Sequence, residues 1–119
     1  MEIKGLVFAG TSTDARPRMR SFLRAVLGMR PAYVEGADAD IFDLPDGTSF
    51  AVADAAGMGA ERTVGFLVDD LDAAAEELRA AGIETDDEPS SNERWRYLHF
   101  RAPDGQLYEL VEPVTGDPA

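Results

Sequence analysis

Phe42-Asp43-Leu44-Pro45-Asp46-Gly47 and Phe100-Arg101-Ala102-Pro103-Asp104-Gly105 are two versions of one motif, 58 positions apart in the chain. The same offset aligns Gly5-Leu6-Val7-Phe8 with Thr63-Val64-Gly65-Phe66. A repeat of this length in 119 residues is too long for a solenoid and indicates two copies of one supersecondary unit. Corresponding residues of the two copies should face each other across a shared space, where a functional site is expected.

The composition predicts a single globular domain over residues 1–119. A hydrophobic fraction of 45% is ordinary for a folded chain, and the length fits one core. No apolar run approaches the roughly 20 residues of a membrane span, and Met1-Glu2-Ile3-Lys4 lacks the pattern of a secretory signal. The absence of cysteine is typical of a cytoplasmic protein. We therefore expect a cytoplasmic protein without a membrane partner.

The net charge of −12 limits the choice of partners. Nucleic acid is disfavoured, because phosphates need a basic face. The charge is explained either by solubility alone or by attraction of a cationic small molecule.

The first copy, module 1, spans about residues 1–56 and reads β-α-β-β-β. An extended run over 3–10 precedes a helix that we expect to be capped by Asp14 and to end near Gly28. Strands are predicted near 31–36, 38–44 and 48–54. The spacing of the helix's apolar residues predicts one buried stripe, made of Met19, Phe22, Leu23, Val26 and Leu27.

The second copy, module 2, spans about residues 61–113 and has the same order of elements. A strand over 62–68 leads to an aspartate-capped helix that ends at Gly82. A weak strand near 83–88 precedes strands over 94–101 and 106–112, and the acidic segment 84–88 is interpreted as a solvated edge. The fold class is therefore α+β, with two pseudo-symmetric β-α-β-β-β modules.

The Pro-Asp-Gly turns fix the register of both hairpins, because Pro presets the turn and Gly supplies a left-handed residue. A three-residue loop over 103–105 places His99 opposite Glu109. Since side chains alternate along a strand, one face of each hairpin should pack on a helix and the other should line a pocket. The predicted pocket faces carry Trp95, Tyr97, His99, Glu109 and Val111 in module 2, and Ile41, Asp43, Ser49 and Ala51 in module 1.

The chain resembles the vicinal oxygen chelate superfamily, which includes glyoxalase I, extradiol dioxygenases and bleomycin-resistance proteins. The resemblance rests on Leu27-Gly28, on residues 64–74 (VGFLVDDLDAA) and on residues 100–110 (FRAPDGQLYEL). It implies that the two modules form an incomplete barrel around a cavity, and that the protein is a homodimer. Metal-dependent members hold ligands at positions that correspond here to Gly5, Ala51, Thr63 and Glu109. Only Glu109 is a strong ligand, so we expect no metal and no other cofactor.

His99 and Glu109 are the candidate catalytic residues, and two interpretations of the pair remain open. His99 either closes the pocket wall through hydrogen bonds, or it forms an acid–base pair with Glu109. A carboxylate would raise the pKa of the imidazole and hold one tautomer. Such a pair would support proton abstraction next to a carbonyl, as in an epimerase.

Trp95 and Tyr97 also have two interpretations. They either fill the barrel, or they form an aromatic wall for a planar or cationic ligand, to which Asp43 on the facing module would add negative charge. The predicted ligand-binding set is Trp95, Tyr97, His99, Glu109, Asp43 and Ala51.

Three classes of function follow. The leading one is metal-independent binding of a small organic molecule, either cationic or aromatic, similar to the drug-sequestering resistance proteins. The second is a glyoxalase-like or dioxygenase-like enzyme, or an epimerase, with a non-standard site. The third is a non-catalytic interaction module that keeps the fold alone.

Overall fold

The computed structural model describes residues 1–55 and 61–114, which form one eight-stranded curled sheet with two helices. No helix in these ranges is long and apolar enough to cross a membrane. The elements are β1 (Gly5–Thr13), α1 (Arg16–Ala25), β2 (Arg30–Ala32), β3 (Asp40–Asp43), β4 (Ser49–Asp54), β5 (Arg62–Leu67), α2 (Leu71–Ala80), β6 (Ser90–Ser91), β7 (Trp95–Arg101) and β8 (Leu107–Pro113).

Strand order reveals the internal symmetry. The sheet runs β2-β3-β4-β1-β5-β8-β7-β6, with β1 parallel to β4 and β5 parallel to β8. The two modules therefore have the same order and the same strand directions, and they meet where β1 pairs antiparallel with β5. The predicted α+β class and the predicted repeat are confirmed.

The two Pro-Asp-Gly turns have the predicted geometry. Gly47 and Gly105 adopt φ values of 88° and 84°, in the left-handed region that favours glycine. Each glycine N–H donates to the residue before the proline, Leu44 or Ala102, at 3.0 and 2.8 Å. These turns pair His99 with Glu109 and Ile41 with Ala51, as the sequence predicted.

The register sends alternate side chains to two different environments. Leu98 and Leu110 are buried against α2, and Phe42 and Val52 are buried against α1. Burial of the apolar side chains on the outer face leaves the other face of the sheet to line the space between the modules.

The repeat has two offsets rather than one. The hairpins correspond at 58 positions, but Gly10 pairs with Ala51 as Gly65 pairs with Glu109. The first strands therefore correspond at 55 positions, and the expected match of Gly5 with Thr63 is wrong. The residue of β1 that corresponds to Thr63 is Phe8, which follows an irregularity between Leu6 and Phe8.

Helix α1 departs from its prediction at both ends. Its N-cap residue is Ala15 with no side-chain cap, and Thr13 Oγ1 accepts from the Ala15 N–H at 3.1 Å, so Asp14 is not the cap. The helix ends at Ala25, although Gly28 has the predicted left-handed backbone, with φ 67°. The capping prediction for α2 is confirmed, since Asp70 accepts from the Ala73 N–H at 3.1 Å.

The apolar stripe of α1 is only partly buried. Leu23 is buried and Met19 packs beside it, whereas Phe22, Val26 and Leu27 are 44%, 69% and 53% exposed. Val26 and Leu27 lie beyond the end of the helix at Ala25, and Phe22 is exposed within it, so the prediction of a single buried face is wrong for these three residues.

Segment 83–88 is not a regular strand, which corrects another prediction. It makes one isolated bridge, from Thr85 to Phe100, and the short edge strand β6 lies further along, between the predicted strands 83–88 and 94–101. The Asp86 N–H nevertheless donates to the His99 carbonyl at 3.1 Å, which holds the segment beside β7.

Candidate functional site

The concave face of the sheet encloses a cavity of about 350 Å³ between the two modules. Its wall comes from strands of both modules and from the segments that precede β3, β5 and β7. Residues that line it include Phe8, Gly10, Ala37, Ala39, Ile41, Ala51, Thr63, Trp95, Tyr97, His99, Glu109 and Val111.

Five of the six predicted ligand-binding residues line this cavity: Trp95, Tyr97, His99, Glu109 and Ala51. Asp43 is outside the lining. It binds Arg94 through two contacts of 2.8 and 3.3 Å, and it accepts from Ser49 Oγ at 3.3 Å. Asp43 and Arg94 therefore form an ion pair that joins the modules, and the hydrogen bond from Arg94 lowers the pKa of Asp43.

Trp95 is held on two sides at one end of the cavity. The Phe8 ring lies 6.3 Å from it, tilted by 58°, and the Arg94 guanidinium lies 5.7 Å from its ring centroid. The backbone N–H of Trp95 donates to Asn92 Oδ1 at 2.9 Å, which fixes the start of β7. The indole is therefore a positioned aromatic wall, held in part by the same arginine that pairs with Asp43.

At the other end of this wall, His99 lies between two carboxylates. Its Nε2 is 3.2 Å from Glu109 Oε2, and its Nδ1 is 2.9 Å from Asp86 Oδ2. The same Asp86 oxygen accepts from the His99 backbone N–H at 2.9 Å. Asp86 therefore fixes the orientation of the ring, and the other ring nitrogen contacts Glu109 in the cavity wall.

The two carboxylates make His99 easier to protonate. Its pKa is raised above the ordinary 6.5, chiefly by the hydrogen bond to Glu109 against the opposing effect of burial, with a further contribution from Asp86. Burial, Glu109 and Asp86 together raise the pKa of Tyr97, whose phenol therefore stays protonated at neutral pH. The centre thus contains a cation-forming imidazole, a neutral phenol and two acids.

Glu109 is the most buried acid of the site, with 6% of its surface exposed. The absence of a side chain at Gly65 leaves room for it, because a Cβ at that position would lie 3.3 Å from Glu109 Oε1. The same Cβ would lie 3.0 Å from Phe8 Cβ, so any larger residue at Gly65 would displace the floor of the cavity.

The residues present do not fit a divalent metal. Of the four positions expected from the resemblance, Gly5 lies outside the cavity lining. Ala51 and Thr63 line the cavity but are not strong ligands, so only Glu109 remains. Phe8 is the residue of β1 that corresponds to Thr63, and its side chain has no atom that could coordinate a metal. Asp86 and Glu109 contact opposite nitrogens of His99 and cannot converge on one ion. No group of three metal-binding side chains occurs among the residues that the structure describes.

The register shows how differently the two modules treat the cavity. Trp95, Tyr97, His99 and Glu109 in module 2 stand 58 positions after Ala37, Ala39, Ile41 and Ala51, and all eight residues line the space. At these four pairs of positions, module 2 is therefore aromatic or polar and module 1 is apolar.

Three residues that shape the site were not predicted from the sequence. Asp86 lies in a segment interpreted as a solvated edge, and its contact with His99 depends on how that segment crosses β7. Phe8 was assigned the wrong register because of the irregularity in β1. Arg94 carried a usable signal, because it stands next to Trp95 in a chain with few basic residues.

A curled sheet of two like modules around one cavity defines a class of α+β proteins that bind small molecules between paired repeats. Residues 12–110 match the model of the Glyoxalase/Bleomycin resistance protein/Dioxygenase superfamily, and the chain belongs to this family.

Solved structures share the fold at low sequence identity. Methylmalonyl-CoA epimerase from Mycobacterium tuberculosis is 20% identical with a TM-score of 0.75, and covers 95% of this chain and 90% of its own. The Streptomyces coelicolor methylmalonyl-CoA epimerase variant Q60A, in complex with 2-nitronate-propionyl-CoA, is 21% identical with a TM-score of 0.70, and covers 96% and 100%. A hypothetical protein from Bacillus halodurans is 14% identical with a TM-score of 0.74, and covers 97% and 96%. The comparison with curated proteins found no match.

Proposed function

We propose that this protein binds a small organic molecule in the cavity between its modules, without a metal ion. The observation that carries the proposal is the wall itself: a positioned indole and a buried carboxylate lie opposite apolar side chains of module 1. In the part of the chain that the structure describes, no ligand set for a metal accompanies them. The volume of about 350 Å³ suits a molecule of one or two rings.

A ligand screen on metal-free protein tests this proposal. The protein is dialysed against a chelator and its melting temperature is measured with a panel of small aromatic compounds. A compound present at 100 times its dissociation constant adds roughly 2.7 kcal/mol to the stability. A panel without any stabilising compound contradicts the proposal and favours the non-catalytic interaction module.

A matched pair of variants locates the binding. Trp95→Ala should weaken binding of a compound found in the screen by about 1–3 kcal/mol, because it removes the aromatic wall. Tyr33→Ala is the control, since Tyr33 is 85% exposed and outside the cavity lining. Equal losses in the two variants would place the ligand elsewhere.

A second candidate function is proton transfer next to a carbonyl, as in an epimerase. It is favoured by the imidazole that Asp86 orients and Glu109 contacts. Against an acyl-CoA substrate stands the charge of the wall: within the described ranges, no lysine or arginine lines the cavity, whereas Asp38, Asp54, Glu61 and Glu109 do. Because Asp54 and Glu61 are paired with Arg16 and Arg101, the repulsion of a ligand carboxylate comes chiefly from Glu109.

Hydrogen exchange separates the two candidates. Methylmalonyl-CoA is incubated with the protein in deuterated water, and exchange at its α-carbon is followed by NMR. The binding proposal predicts exchange at the background rate. Exchange that is faster with the protein and lost in Glu109→Gln would establish the epimerase function instead.

A further inference from the structure

One oxygen of Glu109 has no partner within residues 1–55 and 61–114. Oε2 is occupied by His99 Nε2, but no hydrogen bond from the described residues reaches Oε1. The Glu109 side chain is only 8% exposed, so water outside the cavity does not solvate this oxygen. A buried carboxylate oxygen without a donor is costly. Glu109 lines the cavity, so the cavity is the space from which a donor would come.

The charge around Glu109 defines the donor further. With His99 protonated, the group Asp86–His99–Glu109 carries one net negative charge, and with His99 neutral it carries two. At the rim, Asp54 is paired with Arg16 at 3.0 Å and Glu61 with Arg101 at 2.7 Å, while the exposed Asp38 lies 3.8 Å from the same Arg16. No lysine or arginine among the described residues pairs with Glu109, so its negative charge at the floor of the cavity is balanced only by His99.

We infer that Glu109 Oε1 is the recognition point for a hydrogen-bond donor on the ligand, with an organic ammonium preferred over a neutral hydroxyl and a carboxylate excluded. This inference rests on the proposed binding function and names its ligand class. A charged donor forms a hydrogen bond and is also attracted by the negative charge of the carboxylate. Its bond to the carboxylate is therefore stronger than that of a neutral donor.

The apolar part of the ligand has a defined place opposite this point. Ala37, Ala39 and Ala51 occupy the positions that Trp95, Tyr97 and Glu109 occupy in module 2, so the free volume lies on the side of module 1. The ligand is thus asymmetric: its donor contacts module 2, its ring lies beside Trp95, and its remaining apolar surface contacts the alanines.

Four probes with one ring system separate these features. They are 1-naphthylmethylamine, 1-naphthalenemethanol, 1-methylnaphthalene and 1-naphthoate, and their affinities for the metal-free protein are measured by calorimetry. We expect the amine to bind most tightly, followed by the alcohol, the hydrocarbon and then the carboxylate. Glu109→Gln should lower the affinity for the amine by about 10- to 100-fold, the range typical of a charge-assisted hydrogen bond.

Two controls keep the result specific. Asp87→Asn removes one negative charge beside the site but outside the lining, and should change amine binding less than threefold. In Glu109→Gln, 1-methylnaphthalene should still bind within threefold of its wild-type affinity, which shows that the cavity remains folded.

Donor recognition by Glu109 and small-molecule binding by the cavity can fail separately in this experiment. Binding of all four probes with similar affinity, or an amine preference that survives Glu109→Gln, overturns donor recognition but leaves small-molecule binding intact. Failure of all four probes, in a protein whose melting temperature no compound raises, overturns the binding function as well.

Discussion

Modules 1 and 2 share strand order, strand directions and hairpin turns, but they differ on both faces of the sheet. On the cavity face, His99 and Glu109 stand where module 1 has Ile41 and Ala51. On the outer face, α2 buries Leu71, Ala74 and Ala75, whereas α1 buries only Leu23. The turns and the pairing register are enough to keep the repeat, so the faces are free to specialise. Module 2 carries the chemistry and much of the core, and module 1 supplies space.

The largest expected effect concerns the outer faces. Leu98→Ala should lower the free energy of unfolding by about 2–5 kcal/mol, because Leu98 is fully buried against α2. Leu6→Ala on β1 is the matched control, and its effect should stay within about 0.5 kcal/mol, since Leu6 is 60% exposed. Urea denaturation of both variants checks this, and similar losses would contradict the burial of Leu98 under α2.

The next prediction makes the cavity faces alike. Ala51→Glu places a buried carboxylate in module 1 without the imidazole that accompanies Glu109, so it should cost about 3–5 kcal/mol at neutral pH. Adding Ile41→His supplies the corresponding imidazole, because Ile41 pairs with Ala51 as His99 pairs with Glu109. The double variant should therefore recover part of the loss, measured as a coupling energy in a double-mutant cycle. A cycle without coupling contradicts the correspondence.

A smaller effect follows from the charge of His99. Glu109 and Asp86 favour the imidazolium in the folded protein, so its contribution to stability is complete below pH 6.5 and is lost as the pH rises through the higher pKa of the folded state. The loss is at most about 1.4 kcal/mol per pH unit. His99 is the only histidine, so one NMR resonance reports its titration.

Variants of the acidic segment show which carboxylate acts on His99. We expect a midpoint above 6.5 in the wild type and a lower midpoint in Asp86→Asn. Asp87→Asn should leave the midpoint unchanged, because no contact joins the Asp87 side chain to His99. A wild-type midpoint below 6.5 would mean that burial outweighs the two carboxylates.

The smallest expected effect on stability concerns the exposed part of α1. The homodimer expected from sequence stays a prediction, and Phe22 of α1 with Val26 and Leu27 just beyond its end are the exposed apolar side chains on which we test it. Val26→Asp should then shift the protein towards the monomer in sedimentation equilibrium, with the stability of the monomer changed by about 0.5 kcal/mol or less. A dimer unaffected by Val26→Asp would place the interface elsewhere.

The parts of the molecule that could be predicted from sequence are those set by local rules. The Pro-Asp-Gly turns determine the register, the register determines the faces, and the faces place Trp95, Tyr97, His99 and Glu109 in one wall. The errors arise where non-local contacts decide. Asp43 was placed in the cavity by alternation, but Arg94 from the other module holds it outside. Asp86 reaches His99 through an irregular segment that has no periodic signal, and the end of α1 at Ala25 leaves Val26 and Leu27 outside the helix and exposed.

The central claim is that the polar wall of module 2 binds a small organic molecule without a metal. The most direct test is a titration of ¹⁵N-labelled, chelator-treated protein with 1-naphthylmethylamine, followed by NMR. The account predicts saturable shifts at the Trp95 indole N–H and at the amides of Tyr97, His99 and Glu109, with little change at exposed Tyr33. Unchanged spectra, or shifts that appear only after a divalent metal is added, would contradict it.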